Sequence, residues 1–220
     1  MKIIDVVQGS PEWYKIRRSI PTGSEFGRII TPGKGEYAAG AENYVAEIIA
    51  AALGWQPNFQ GTPDTQRGNY LEKEAVRWLN LRHGLDAKEV GFCLSDCGRY
   101  GASPDGMLPG NVPLEVKCPA LHTFLKWRMA NVLPQDHKAQ IHAEMFVCES
   151  DEAYFLAYAD SPSLDNMLIN VKRSKFTDAL GECVLKFVDR LKEVAEELLG
   201  EEMEFYFPQY ATATKEGAAA

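Results

Sequence analysis

The apolar residues of this 220-residue chain change their spacing twice, and that change restricts its fold more than any other feature. As far as Gly84 the spacing is helical. From 89 to 117 it alternates, and from 120 it is helical again. The first part predicts helices near 11–18, 41–53 and 66–82. Ser24 is a candidate N-cap for a further helix holding Phe26, Ile29 and Ile30. Gly54 and Gly84 stand where helices should stop, and 56–63 reads as a Pro/Gly-rich loop. Residues 89–94, 98–103 and 112–117 read as short strands. The turn cluster Pro109-Gly110-Asn111 predicts a hairpin between the last two of these strands. Helices follow at 120–131 and 135–147, strands at 152–159 and 166–172, and a long helix at 174–199. This order predicts an α/β domain over 1–210 with one central mixed sheet flanked by helices, and a flexible tail at 211–220.

Composition narrows the classes. A hydrophobic share of 45% and a charged share of 25% are those of an ordinary globular protein. No stretch is apolar enough to span a bilayer, and the first twenty residues lack the apolar run of an export signal, so the expected location is the cytoplasm. The five cysteines (93, 97, 118, 148, 183) lack disulfide-scaffold or zinc-site spacing and read as reduced thiols. The net charge of −8 is unevenly spread: residues 182–204 hold eight acids against three bases, and residues 1–34 hold six bases against three acids.

The chemistry concentrates in Ser103-Pro104-Asp105-Gly106 and Glu115-Val116-Lys117. On a strand, Glu115 and Lys117 share a face, and hairpin pairing can bring Asp105 beside them. Two close carboxylates repel unless a proton or a cation lies between them, and Mg2+ suits carboxylates that leave room for phosphate. Lys117 could then orient a water or neutralise charge on a phosphorus centre. These residues predict metal-assisted phosphodiester hydrolysis. They equally fit an exposed Glu–Lys pair near a turn aspartate. The four tryptophans read as core or interface, Phe124, Leu125 and Met129 as core, and His137 and His142 as helix-surface residues.

SPDG…LEVKCP resembles the PD-(D/E)xK nuclease signature, and the wider chain resembles the YqaJ-type viral recombinases of the bacteriophage lambda exonuclease family. Three more blocks carry the resemblance: QGSPEWYKIRRSIPTGSEFGRII, RGNYLEKEA and HKAQIHAEMFV. The resemblance implies a restriction-endonuclease-like core. It implies Asp105, Glu115 and the Val116 carbonyl as ligands of two Mg2+ ions, for which Mn2+ can substitute. Lys117 would serve the water, and Glu72, rather than the neighbouring Glu74, would support the second ion. Arg17, in preference to Arg18, would build a 5′-phosphate pocket with Ser24, Ser103 and Gln140.

The activity implied is 5′→3′ digestion of one strand from double-stranded DNA ends, leaving a 3′ overhang. The resemblance further implies a homotrimer threaded by DNA, a single-strand annealing protein as partner, no membrane, and the cytoplasm of a bacterial host. An endonuclease or repair nuclease fits the core motif equally well; a DNA-end-binding protein without turnover is a third reading, against which the intact Asp105, Glu115 and Lys117 speak.

Overall fold

The computed structural model describes residues 1–55 and 63–210. The loop expected at 56–62 and the tail expected at 211–220 lie outside the described residues. The central sheet has four strands, β4 (Gly106–Leu108), β5 (Val112–Lys117), β6 (Glu152–Ala157) and β7 (Met167–Lys172), in that order. β5 runs antiparallel to β4 and parallel to β6, and β7 is antiparallel to β6, so the sheet is mixed. Parallel neighbours require a long connection. Helices α4 (Leu121–Ala130) and α5 (Gln135–Val147) supply it between β5 and β6.

The turn at 109–111 forms because Gly110 and Asn111 tolerate the left-handed backbone (φ 84° and 61°) that a tight reversal demands. The strand that pairs with β5 is β4, and this corrects the expected hairpin. Of residues 98–103, only Gly101–Ala102 is a strand (β3), and it joins β1 (Lys2–Ile4) and β2 (Phe92–Leu94) in a separate antiparallel sheet. Ser103 and Asp105 therefore lie in the short link between the two sheets.

Helix α5 is enclosed on several sides. It packs on α6 (Lys175–Leu199), on β6 and on the 3-10 helix Gly23–Arg28. Gly23 makes the last approach possible: a Cβ there would stand 3.2 Å from Ala102 Cβ and 3.4 Å from Ala143 Cβ. Ile141, Ala143, Met145 and Val147 are buried from α5, and Leu180, Val184, Phe187 and Leu191 from α6. Each such side chain stabilises the fold by about 1.5–3 kcal/mol where large and fully buried. Ser174 opens α6 with a capping box, its hydroxyl accepting from Phe176 N–H. Helix α3 (Pro63–His83) lies against β5, with Leu71, Ala75 and Leu79 buried.

Four local expectations are corrected. Ser24 caps no helix: the cap position belongs to Thr22, and the Ser24 hydroxyl faces Arg17. Leu125 and Met129 are exposed while Phe124 is buried, because α4 turns only one edge to the core. His142 is buried rather than at the surface, with its Nδ1 2.7 Å from the Thr177 hydroxyl. Burial, and secondarily the charge of Lys138, pushes its pKa down to about 4. All five cysteines are free thiols, as expected.

Candidate active site

Strand β5 carries Glu115 and Lys117 on one face, while Leu114 and Val116 are buried against α3 and β6. The register Gly106–Leu114 across the hairpin places Asp105 at the level of Glu115. Asp105 Oδ2 accepts the Val116 N–H at 2.7 Å, which fixes its carboxylate against the strand. Glu115 is 1% exposed, and its Oε1 accepts from the Lys117 ammonium and, at 2.6 Å, from Gln140 Nε2.

The electrostatics are those of excess negative charge held out of water. Burial, then the charge of Glu115, holds the Asp105 pKa well above the carboxylate range. Burial also raises Glu72, on α3, with Lys117 opposing it and Glu115 adding to it. Burial tends to lower Lys117, but Glu115 and Asp105 outweigh it and hold the amine protonated. Glu144, on α5, belongs to the same cluster: it is 1% exposed, and its pKa is raised by burial and by Glu115. Gln140 Nε2 also reaches Glu144 Oε1, at 3.3 Å.

The donor set fits a hard divalent cation. Four acids (Glu72, Asp105, Glu115, Glu144) influence one another, with Lys117 as the one base inside the group. Among the described residues, the buried Glu115 Oε2 and Glu144 Oε2 have no hydrogen-bond donor. A buried anionic oxygen without a donor is costly, and a cation relieves it. Among the described residues no three His, Cys, Asp or Glu side chains form a ready cage. The cluster is an open one, in which a backbone carbonyl, water and phosphate would have to complete the coordination.

A second cluster has the opposite character. Helix α1 (Pro11–Arg17) ends in Arg17, whose guanidinium lies 4.1 Å from the Trp13 ring centroid. Its Nη1 donates to Ser103 Oγ (3.3 Å), and its Nη2 to Thr22 Oγ1 (3.2 Å) and Ser24 Oγ (3.3 Å). Trp13 Nε1 donates to the same Ser103 hydroxyl at 2.9 Å. Burial lowers the pKa of Arg17 from its ordinary value, and among the described residues no carboxylate forms a salt bridge with it. The hydroxyls that accept from Arg17 carry protons of their own, one of them shared between Thr22 and Ser24 at 3.5 Å. A desolvated cation ringed by hydroxyls is suited to an anion with several acceptor oxygens.

The residues singled out from sequence thus fall into two groups. Asp105, Glu115, Lys117 and Glu72 come together, with Val116 between them. Arg17, Ser24 and Ser103 come together in the other. Gln140 is bonded to Glu115 and Glu144, and none of the described hydrogen bonds joins it to the Arg17 group. Glu74 instead pairs with Arg77 on the outer side of α3. Sequence reasoning missed Glu144, Thr22 and the contact of Trp13 with Ser103. The available signals were spacings: Glu144 is one helical turn from Gln140, and Thr22 is two residues from Ser24.

The family model of the YqaJ-like viral recombinase domain matches residues 12–151, a span holding every residue of both clusters. Among solved structures, the chain resembles an alkaline exonuclease (LHK-Exo) from Laribacter hongkongensis, at 25% identity and TM-score 0.73, over 91% of this chain and 97% of that one. LHK-Exo in complex with dAMP aligns at 24% identity and TM-score 0.68, over 86% and 100%. A phage related exonuclease from Haemophilus somnus 129PT aligns at 16% identity and TM-score 0.60, over 80% and 96%. A comparison with curated proteins gave no match. The mixed sheet flanked by helices is the restriction-endonuclease-like fold of these exonucleases. With both clusters inside the matched span, the chain belongs to the YqaJ-like viral recombinase family.

Proposed function

We propose that this protein is a Mg2+-dependent 5′→3′ exonuclease that digests one strand of linear double-stranded DNA from a 5′-phosphorylated end. One observation carries the reading: an anion pocket and a carboxylate–lysine centre share the segment Ser103-Pro104-Asp105. Two residues of chain reach at most about 7 Å between Cα atoms. A terminal phosphate held by Arg17, Thr22, Ser24 and Ser103 would therefore put a bond near the strand end beside Asp105.

Asp105, Glu115 and the Val116 carbonyl would hold the metal pair, with Glu72 supporting the second ion. Two Mg2+ ions, or Mn2+ in their place, would supply a water acidic enough to attack at neutral pH and a clamp for the phosphate charge. Lys117, held protonated by Glu115 and Asp105, is set to orient that water and to neutralise charge developing on phosphate. The Val116 N–H keeps the Asp105 carboxylate from turning away. The Laribacter relative is known in complex with dAMP, a nucleoside 5′-monophosphate of the size such a pocket would release.

The same reading includes a ring-shaped homotrimer and a single-strand annealing protein that takes the 3′ overhang, in phage-type recombination in the cytoplasm of a bacterial host. A ring would explain how a chain of net charge −8 keeps hold of DNA, since the acids concentrate on and just after α6. Among the described residues no helix is long and apolar enough to cross a membrane.

Linear duplex labelled at the 5′ or the 3′ end, mixed with closed circular DNA and Mg2+, tests the reading. The expected result is stepwise loss from 5′-phosphorylated ends with circles intact. Cut circles would make the protein an endonuclease, and binding of ends without cleavage would make it an end-binding protein.

A further inference from the structure

We propose that Glu144 is a positioning residue of the carboxylate centre, acting through Gln140 to hold Glu115 with one oxygen free for a metal ion. The inference rests on the metal-dependent reading above. Both residues belong to α5, one turn apart, and so present their side chains together. The Gln140 amide has two protons and serves two acceptors: Glu115 Oε1 at 2.6 Å and Glu144 Oε1 at 3.3 Å. Glu144 thereby restrains the rotation of that amide. With Gln140 and Lys117 both on Glu115 Oε1, the other oxygen, Oε2, has no donor among the described residues. The arrangement sorts the two oxygens of one carboxylate into a held one and an open one.

A packing role alone does not account for Glu144. Its neighbours on α5, Ile141, Ala143 and Met145, are apolar and fully buried. A carboxylate 1% exposed, with Oε2 lacking a donor among the described residues, opposes folding. Groups that orient metal ligands have this profile: costly where they stand, and worth about 10- to 100-fold in metal affinity.

Mn2+ binding, read by electron paramagnetic resonance on the full-length protein, provides the test. Glu144→Ala is expected to weaken Mn2+ binding about 10- to 100-fold, while binding of 5′-phosphorylated duplex ends in chelator stays unchanged. Glu144→Gln keeps an acceptor for Gln140 and is expected to bind Mn2+ nearly as the wild type does. Gln140→Ala should weaken binding to the same extent, with no further loss in the double variant. Wild-type Mn2+ affinity in Glu144→Ala would overturn the proposal. So would equal losses in Glu144→Gln and Glu144→Ala, which would make Glu144 a ligand in its own right. A wild-type protein that binds no Mn2+, or a Glu115→Ala variant that binds it normally, would overturn the metal centre itself and this inference with it.

Discussion

The two clusters of this site are built on opposite principles. Around Arg17 a half-buried cation stands among neutral hydroxyls, with no described carboxylate in a salt bridge to it. Around Glu115 four carboxylates, two of them fully buried, surround Lys117, and among the described residues two of their oxygens lack donors. Each cluster carries charge that the protein does not neutralise, and their signs differ. A buried charge without its partner costs stability, so neither arrangement is what folding alone would select. The difference underlies the proposal that the first cluster takes an anion with acceptor oxygens and the second a divalent cation.

The largest expected effect comes from breaking the acidic cluster. Asp105→Asn keeps the shape but weakens the metal site, and cleavage should fall by about 10²–10³-fold or more, measured in single-turnover digestion. Binding of a 5′-phosphorylated end in chelator should persist, because the Arg17 pocket is intact. Breaking that pocket has the converse result. Arg17→Ala should reduce the preference for 5′-phosphorylated over 5′-hydroxyl ends about 10- to 100-fold, with cleavage of hydroxyl ends little changed.

How far these clusters could be read from sequence depended on whether the information was local. Glu115 and Lys117 were legible because strand alternation places residues two apart on one face. Arg17 and Glu72 were picked out from their neighbours by family spacing rather than by any physical signal. Glu144 was not legible: its burial comes from the packing of α5 between the 3-10 helix and α6, and no periodicity in HKAQIHAEMFV announces that. His142 was misread for the same reason. The hairpin was placed correctly at its turn but with the wrong partner strand. A break in the chain direction at Ser103-Pro104-Asp105 separates β3 from β4, and alternation cannot show a change of sheet.

A smaller effect sharpens the contrast. Mg2+ at about 100 times its Kd should stabilise the protein by about 2.7 kcal/mol, visible as a rise of several degrees in Tm. Glu115→Ala should abolish that rise. Phosphate should not substitute for Mg2+ in the acidic cluster.

The smallest effect concerns a buried polar group that does have its partner. His142 is bonded to Thr177, and its folded pKa is depressed to about 4 from an ordinary 6.5. A depressed pKa means that the folded state resists protonation. The contribution to stability is therefore present above pH 6.5 and is lost as the pH falls toward 4. Thermal melts across that window should show a shallower acid decline for His142→Gln than for the wild type. Identical slopes would place the charge-free histidine elsewhere.

The measurement that bears most directly on the account is single-turnover cleavage of a 5′-phosphorylated duplex by Lys117→Ala, with end binding followed in the same samples. The account predicts that the variant binds ends as the wild type does and releases almost no nucleotide in Mg2+. Cleavage at the wild-type rate would contradict it, because the one base inside the carboxylate cluster would then have no part in the chemistry.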